Sequence, residues 1–202
     1  MLFVWADVDP AHEQDYNRWY DREHVAERVS VPGMLSATRY RAASDKDRRY
    51  LGLYRSRDLN VFSSAAYQQV FQHQTPWSVE NLGRMRNAVR RVASISAVGE
   101  GVGSWLVVAR YGSAGRPSDG DVQKLSQGLI GRDGIISTNF LVPDTALSTP
   151  LPAESTEGRI LDTILLVYAT GEEAAKAAAA QLPSAGFKGE IVTLSMLWHL
   201  ER

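Results

Sequence analysis

The order of the chain's periodic segments repeats, and that repeat constrains the fold more than any single residue does. An alternating apolar stretch at 2–8 is followed by a helical pattern at 12–30, alternating stretches at 34–42 and 49–57, a short helical segment at 60–71, and a long alternating stretch at 82–97. Period two marks a strand and period 3.6 a helix. After Gly99-Glu100-Gly101-Val102-Gly103 the same order returns. Strand patterns cover 105–111, 135–142, 159–169 and 190–200, and helical patterns cover 118–130 and 171–182. The chain therefore reads βαββαβ twice, joined at a glycine-rich linker. The two halves share element order rather than residue identity.

Local signals support these boundaries. Val31-Pro32-Gly33 ends the first helix, because proline disfavours helix in the residue before it and glycine permits the turn. Ser44-Asp45-Lys46-Asp47 is a polar turn between two strands of a hairpin. Ser118 is an N-cap with Asp121 in the first turn. Residues 73–78, including Thr75-Pro76-Trp77, read as a loop, as do the Pro-, Ser- and Thr-rich residues 143–158. Each βαββαβ unit covers one face of its sheet with helices and leaves the other bare. The expected fold is thus α+β: two tandem ferredoxin-like halves, residues 1–99 and 104–202, whose antiparallel sheets face each other as a barrel.

Composition narrows the function. A formal net charge of −1 gives no basic excess of the kind that nucleic-acid binders carry, so no nucleic-acid partner is expected. No cysteine is present, which removes disulfides, thiol catalysis, iron–sulfur clusters and cysteine zinc sites, and suits a reducing, cytoplasmic setting. The most apolar run, Ile164 to Ala169, is far short of the ~20 residues that span a bilayer, and no signal peptide opens the chain, so no membrane partner is expected. His12, His24, His73 and His199 are widely separated and form no HxH or HxxxH pair, so no metal is expected; the activity expected below uses no organic cofactor. Gly99-Glu100-Gly101 does not open a helix as a dinucleotide fingerprint must, and neither a Walker A sequence nor a GxSxG elbow occurs.

The run Trp19-Tyr20-Asp21-Arg22-Glu23-His24-Val25, then Glu27-Arg28 and Val31-Pro32-Gly33, resembles the signature of EthD-like proteins in the dimeric α/β-barrel superfamily. Arg39-Tyr40-Arg41 and Arg49-Tyr50-Leu51 on the next two strands add to the resemblance, which covers residues 1–98. It implies a dimeric α/β-barrel and a homodimer of such chains. The superfamily hosts cofactor-free monooxygenases, isomerases, decarboxylases, dehydratases and haem enzymes, so the fold does not fix a reaction.

The candidate residues fall into three groups. Tyr20, His24 and Arg28 lie at i, i+4 and i+8, along one helix stripe. Histidine titrates near neutrality and suits acid–base catalysis, with Glu23 or Glu27 to polarise it. The plainer reading is a histidine satisfying carbonyls at a helix C-terminus. Arg84, Arg86 and Arg90 share one face of the 82–97 strand by period two, a pattern that suits a barrel mouth binding a carboxylate, or a solvated edge. Tyr50 and Tyr54 flank Gly52, with Tyr40 on the neighbouring strand and Trp77 in a loop over the mouth; together they suit an aromatic pocket, or simply core. Asp162 interrupts an apolar strand and needs a partner such as an arginine of the first half.

The expected activity is proton transfer, as in a lyase, isomerase, decarboxylase or dehydratase, on an aromatic or polyketide-like substrate carrying a carboxylate. His24, Tyr20 and Glu23 form the catalytic set, and Tyr40, Tyr50, Tyr54, Trp77, Arg84 and Arg86 hold the substrate. The alternatives are a cofactor-free monooxygenase and a non-catalytic small-ligand binder.

Overall fold

Alternation in the first strand sets the layering of the whole molecule. In β1 (Leu2–Val8), Phe3 and Trp5 point to one side, while Leu2, Ala6 and Val8 point to the other. The computed structural model describes residues 1–45, 48–112 and 117–202. After β1 come α1 (Glu13–Trp19), a π turn (Tyr20–His24), α2 (Val25–Ser30), β2 (Met34–Ala42), β3 (Tyr50–Ser56), α3 (Ala65–Gln72), α4 (Pro76–Gly83) and β4 (Met85–Gly99). Then follow β5 (Trp105–Arg110), α5 (Asp119–Ile130), β6 (Ile135–Pro143), β7 (Ile164–Ala169), α6 (Glu172–Ala179) and β8 (Ile191–Glu201).

The eight strands close into one antiparallel barrel in the order β1-β3-β2-β8-β5-β7-β6-β4. Two joints link β1–β4 to β5–β8. Thr38 of β2 pairs with His199 of β8, and Ala97 of β4 pairs with Asn139 of β6. Closure within one chain removes sheet edges, which would otherwise invite pairing with other chains.

Three apolar layers result. Phe3, Trp5, Leu51, Leu106, Leu141, Leu166 and Leu194 fill the barrel lumen. Tyr16, Trp19, Tyr20, Tyr54 and Phe62 pack between the sheet and the helices of the first half. Val107, Phe140, Leu165 and Leu182 do so under α5 and α6. Strand β7 is buried along its whole length because both its faces are covered, which explains its unbroken apolar run. The 99–103 segment is a close-packed joint rather than a free tether. A Cβ on Gly103 would stand 2.2 Å from the Ala169 carbonyl oxygen, so only glycine fits there.

Several elements differ from the expectation. Residues 76–83 form helix α4, not loop and strand: Thr75 caps it by accepting from the Ser78 N–H at 3.0 Å, and Pro76 supplies a preset first turn. The fourth strand therefore begins at Met85 and leaves Arg84 at a helix end. The fifth segment is a 3₁₀ turn at Leu59–Ser63 followed by α3, and β7 starts only at Ile164. The Ser44–Asp47 turn lies partly outside the described residues, which omit 46 and 47. Among the described residues no helix is long and apolar enough to cross a membrane.

Candidate functional site

The π turn is the local device that builds the site. It widens one turn between α1 and α2, with the Val25 N–H reaching the Tyr20 carbonyl five residues back. Such single wide turns recur at functional sites because they re-aim side chains out of the regular helical spacing. Here both Tyr20 and His24 are buried against the outer face of the sheet. The His24 ring lies 4.2 Å from Trp19, centroid to centroid, with Tyr20 at 5.1 Å and Tyr54 edge-on at 6.3 Å. A Cβ on Gly52 would stand 3.2 Å from the Tyr54 ring, so the glycine gives that ring its place over the strand.

His24, Tyr20 and Tyr54 wall a chamber of about 30 Å³, which Arg28, Arg90 and Tyr67 also line. Three polar atoms are buried without a hydrogen-bond partner: His24 Nδ1, Arg28 Nη1 and Tyr54 Oη. Buried polar groups are ordinarily paired, so a cluster of three unpaired ones marks a place built for something else. The charge is equally uneven. Arg28 and Arg90 are 4% and 3% exposed, and neither forms an ion pair among the described residues. Arg90 is held by the 144–163 loop, donating to the Leu147 carbonyl at 2.8 Å and the Thr149 carbonyl at 3.0 Å. Glu27 is the acid beside Arg28; burial pushes its carboxyl up, and the guanidinium partly opposes that.

Burial drives the His24 pKa well below its ordinary 6.5, and the positive charges of Arg28 and Arg39 push the same way. The imidazole is therefore neutral at neutral pH and ready to accept a proton. Burial raises the Tyr20 and Tyr54 hydroxyls above their ordinary value, so both stay protonated and able to donate.

A water molecule fits the chamber, but an aromatic ring does not. Phe71, Gln74, Leu82 and Leu151 separate it from a surface groove of about 560 Å³ that the same four residues line. A larger cavity of about 820 Å³ lies under α5, but its charged residues Asp121, Lys124 and Arg132 are exposed, and among the described residues no buried titratable group lines it. The chemistry therefore points to the smaller chamber.

The remaining candidates are placed as follows. Glu23 turns away from His24: it accepts from Thr75 Oγ1 at 2.6 Å and Ser78 Oγ at 3.2 Å, fastening α4 to the π turn. Tyr50 lies at the far end of α1, where its hydroxyl meets Glu13 and accepts from Asn17 at 3.0 Å. Tyr40 does not join Tyr50 and Tyr54. It pairs with Leu51, so it takes the opposite face and enters the lumen. Trp77 sits on α4 and donates to Asp15 at 3.1 Å rather than covering a barrel mouth.

Arg84, Arg86 and Arg90 do not share a face. Arg84 pairs with Asp15 and Glu80 from the helix end, while exposed Arg86 pairs with Asp9. Asn87, at φ 51°, makes a bulge in β4: Trp5 and Asp7, two apart on β1, face Val89 and Arg86, three apart on β4. The extra residue reverses the alternation beyond it. Asp162 is held by Arg110 of its own half, at 2.8 Å, not by the first half. His199 lies near the end of β8, its Nδ1 2.8 Å from Thr38 Oγ1.

Arg28 and Arg90, which the sequence placed on the helix stripe and the strand face but not among the expected catalytic and substrate-holding residues, both line the chamber. The helix stripe pointed to the first. The second was hidden by the bulge. Among the described residues no group of three or more His, Asp or Glu side chains is placed to hold a metal ion.

No family model matches the chain. No curated protein matches it by sequence. Solved structures do. A "putative monooxygenase" from Fusobacterium nucleatum aligns over 100% of this chain and 94% of its own, with TM-score 0.59 and 10% identity. An anthrone oxidase-like protein aligns over 99% of this chain and 91% of its own, with TM-score 0.56 and 11% identity. These structures belong to the dimeric α/β-barrel superfamily. The chain has the dimeric α/β-barrel fold. A Lactobacillus acidophilus protein described like the first adds to the same picture, aligning over 99% of this chain and 94% of its own, with TM-score 0.52 and 10% identity. At such identities the likeness carries the dimeric α/β-barrel architecture and no residue roles.

Proposed function

We propose that the chain is a small-molecule enzyme that removes a proton from an aromatic or polyketide-like substrate, with neutral His24 as the base and Arg28 and Arg90 holding the anion that forms. The observation that carries the reading is the pair of buried guanidinium groups, neither in an ion pair among the described residues, beside an unprotonated imidazole. A buried cation without a counter-charge is costly, and a developing enolate or phenolate is the group that would relieve it. Proton transfer to His24 makes an imidazolium, which Arg28 and Arg39 disfavour unless a negative charge arises beside it. The site therefore favours the state in which both charges exist together. The Tyr54 hydroxyl, and that of Tyr20, would donate to the same oxygen. Access requires the Phe71–Gln74–Leu82–Leu151 wall to part towards the surface groove.

In this proposal the chain comprises two ferredoxin-like halves, residues 1–99 and 104–202, with the first half carrying the chemistry. The resemblance of Trp19–Val25 to the EthD-like signature supports that division.

A second reading is a cofactor-free oxygenase, in which the same substrate anion passes its electrons to dioxygen. The descriptions of the structural neighbours as a monooxygenase and an anthrone oxidase-like protein favour it. A thermal-shift screen of phenols, anthrone-like polyketides and aromatic acids separates the outcomes, since a ligand of the folded state raises the midpoint by mass action. Turnover of a hit that His24→Ala abolishes while binding persists supports the proton-transfer step. Turnover that stops without oxygen selects the second reading. Binding with no turnover in either gas phase rejects an enzyme and leaves a ligand carrier.

A further inference from the structure

The two ends of the barrel are built differently. One end is sealed by charge. Glu190 pairs with Arg48 at 3.0 Å and with Arg110 at 2.9 Å; Asp162 pairs with Arg110; and Glu154 pairs with both Arg91 and Arg159. The Arg48 guanidinium closes over the Trp5 ring at 4.9 Å.

The other end holds a cavity of about 730 Å³. Its floor is polar. Ser137, Asn139 and Tyr168 are 3%, 6% and 3% exposed, and all line it. Asn139 Nδ2 donates to Tyr168 Oη at 3.4 Å, a long contact that leaves the tyrosine proton without an acceptor among the described residues. On the rim stands Arg55, which the first half contributes from the end of β3. Unlike Arg39, Arg48, Arg91, Arg110 and Arg159, it forms no ion pair among the described residues. Its charge acts on Tyr168 below it, partly opposing the burial that lifts that hydroxyl to about 12. Glu100 is the acid on the same rim. His199, bonded to Thr38, lies at this end as well.

We infer that this mouth is a second ligand site, separate from the His24 chamber, and that it takes a small organic carboxylate. The planar guanidinium of Arg55 matches a carboxylate through two parallel hydrogen bonds. Beneath it, the Tyr168 hydroxyl and Asn139 amide are donors set in a buried floor, where such bonds are stronger than in water. The floor belongs to the second half and the cation to the first, so the site exists only because the halves close one barrel.

The test uses crystals of the whole chain soaked in 4-bromobenzoate, with calorimetric titration of the same compound in solution. The bromine's anomalous signal locates the ligand, and the titration gives its affinity. The expected result is a bromine peak in the mouth, its carboxylate facing Arg55. Arg55→Ala should remove that peak and weaken binding about tenfold, the usual effect of losing one charge-assisted pair. Tyr168→Phe should weaken binding severalfold. Arg55 is exposed, so its replacement leaves the fold intact. Bromine found only in the His24 chamber, or no binding at all, overturns the inference. Density in the mouth that survives Arg55→Ala marks an adventitious additive only and overturns it too.

Discussion

Replacing Arg28 by methionine should make the free protein more stable, although the residue is central to the proposed site. The guanidinium is 4% exposed, its Nη1 has no partner, and no ion pair compensates it among the described residues. A buried donor left unpaired costs about 1–3 kcal/mol. Methionine keeps the apolar stem and fills much of the same space without that cost. Against this stands the loss of the cation–π contact with Tyr67, whose centroid is 6.0 Å away. Such a contact is worth about 0.5–1 kcal/mol. The net gain is therefore about 0–2.5 kcal/mol, centred near ~1 kcal/mol, and each kcal/mol raises the melting midpoint of a chain this size by about 2–4 °C. Calorimetry at fixed pH and urea titration should agree on it. Binding of any anionic ligand that the screen finds should weaken at the same time. A loss of stability of ~1 kcal/mol or more on Arg28→Met would mean the guanidinium is already satisfied in the free protein, and the argument for an anion in the chamber would fail.

Other outcomes follow from the same structure. Glu154→Gln should destabilise by about 3–5 kcal/mol, because it strips a buried carboxylate from Arg91, which is 2% exposed; chemical denaturation measures it. Burial alone would push the Glu154 carboxyl up, but Arg159 and Arg91 hold it below its ordinary 4.5, so that stability is present above pH 4.5 and drains as pH falls through the lower folded value. His24 acts in a higher window. Its folded pKa lies below the unfolded 6.5, so the folded state binds fewer protons, and stability should fall as pH drops below 6.5. His24→Gln should flatten that part of the stability–pH curve. Leu82→Ala and Leu151→Ala, which thin the wall between groove and chamber, should speed modification of His24 by diethylpyrocarbonate; an unchanged rate would place the access route elsewhere.

The layered architecture was legible because its signals are local. Strand alternation, the glycine joint at 99–103 and the order of elements need no knowledge of pairing. Helix spacing puts Tyr20, His24 and Arg28 on one stripe, but it does not show the π turn at Tyr20–His24 that aims the first two against the sheet. Helix α4 was missed even though Thr75-Pro76 is an N-cap followed by a favoured first-turn proline; Pro76-Trp77 looked like punctuation. The arginine face on β4 failed for a deeper reason. A bulge at Asn87 is a property of two strands in register, and one strand's sequence does not reveal where the count slips. Tyr40 shows the same limit. Whether it meets Tyr50 or faces the lumen depends on pairing with Leu51, which only the folded sheet sets. Glu23 beside His24 in sequence suggested a polarising acid, yet on the wide π turn the two diverge, one towards the sheet and one towards the cap of α4.

The measurement that bears most directly on the proposed chamber is an NMR titration of the His24 ring, alone and with a bound phenol or aromatic acid. The account predicts that the free imidazole stays neutral well below pH 6.5, and that an anionic ligand raises its pKa by supplying the charge that Arg28 and Arg90 lack. A His24 that titrates at its ordinary value, or that does not respond to a ligand shown to bind the folded protein, would contradict the claim that this chamber is where the chemistry occurs.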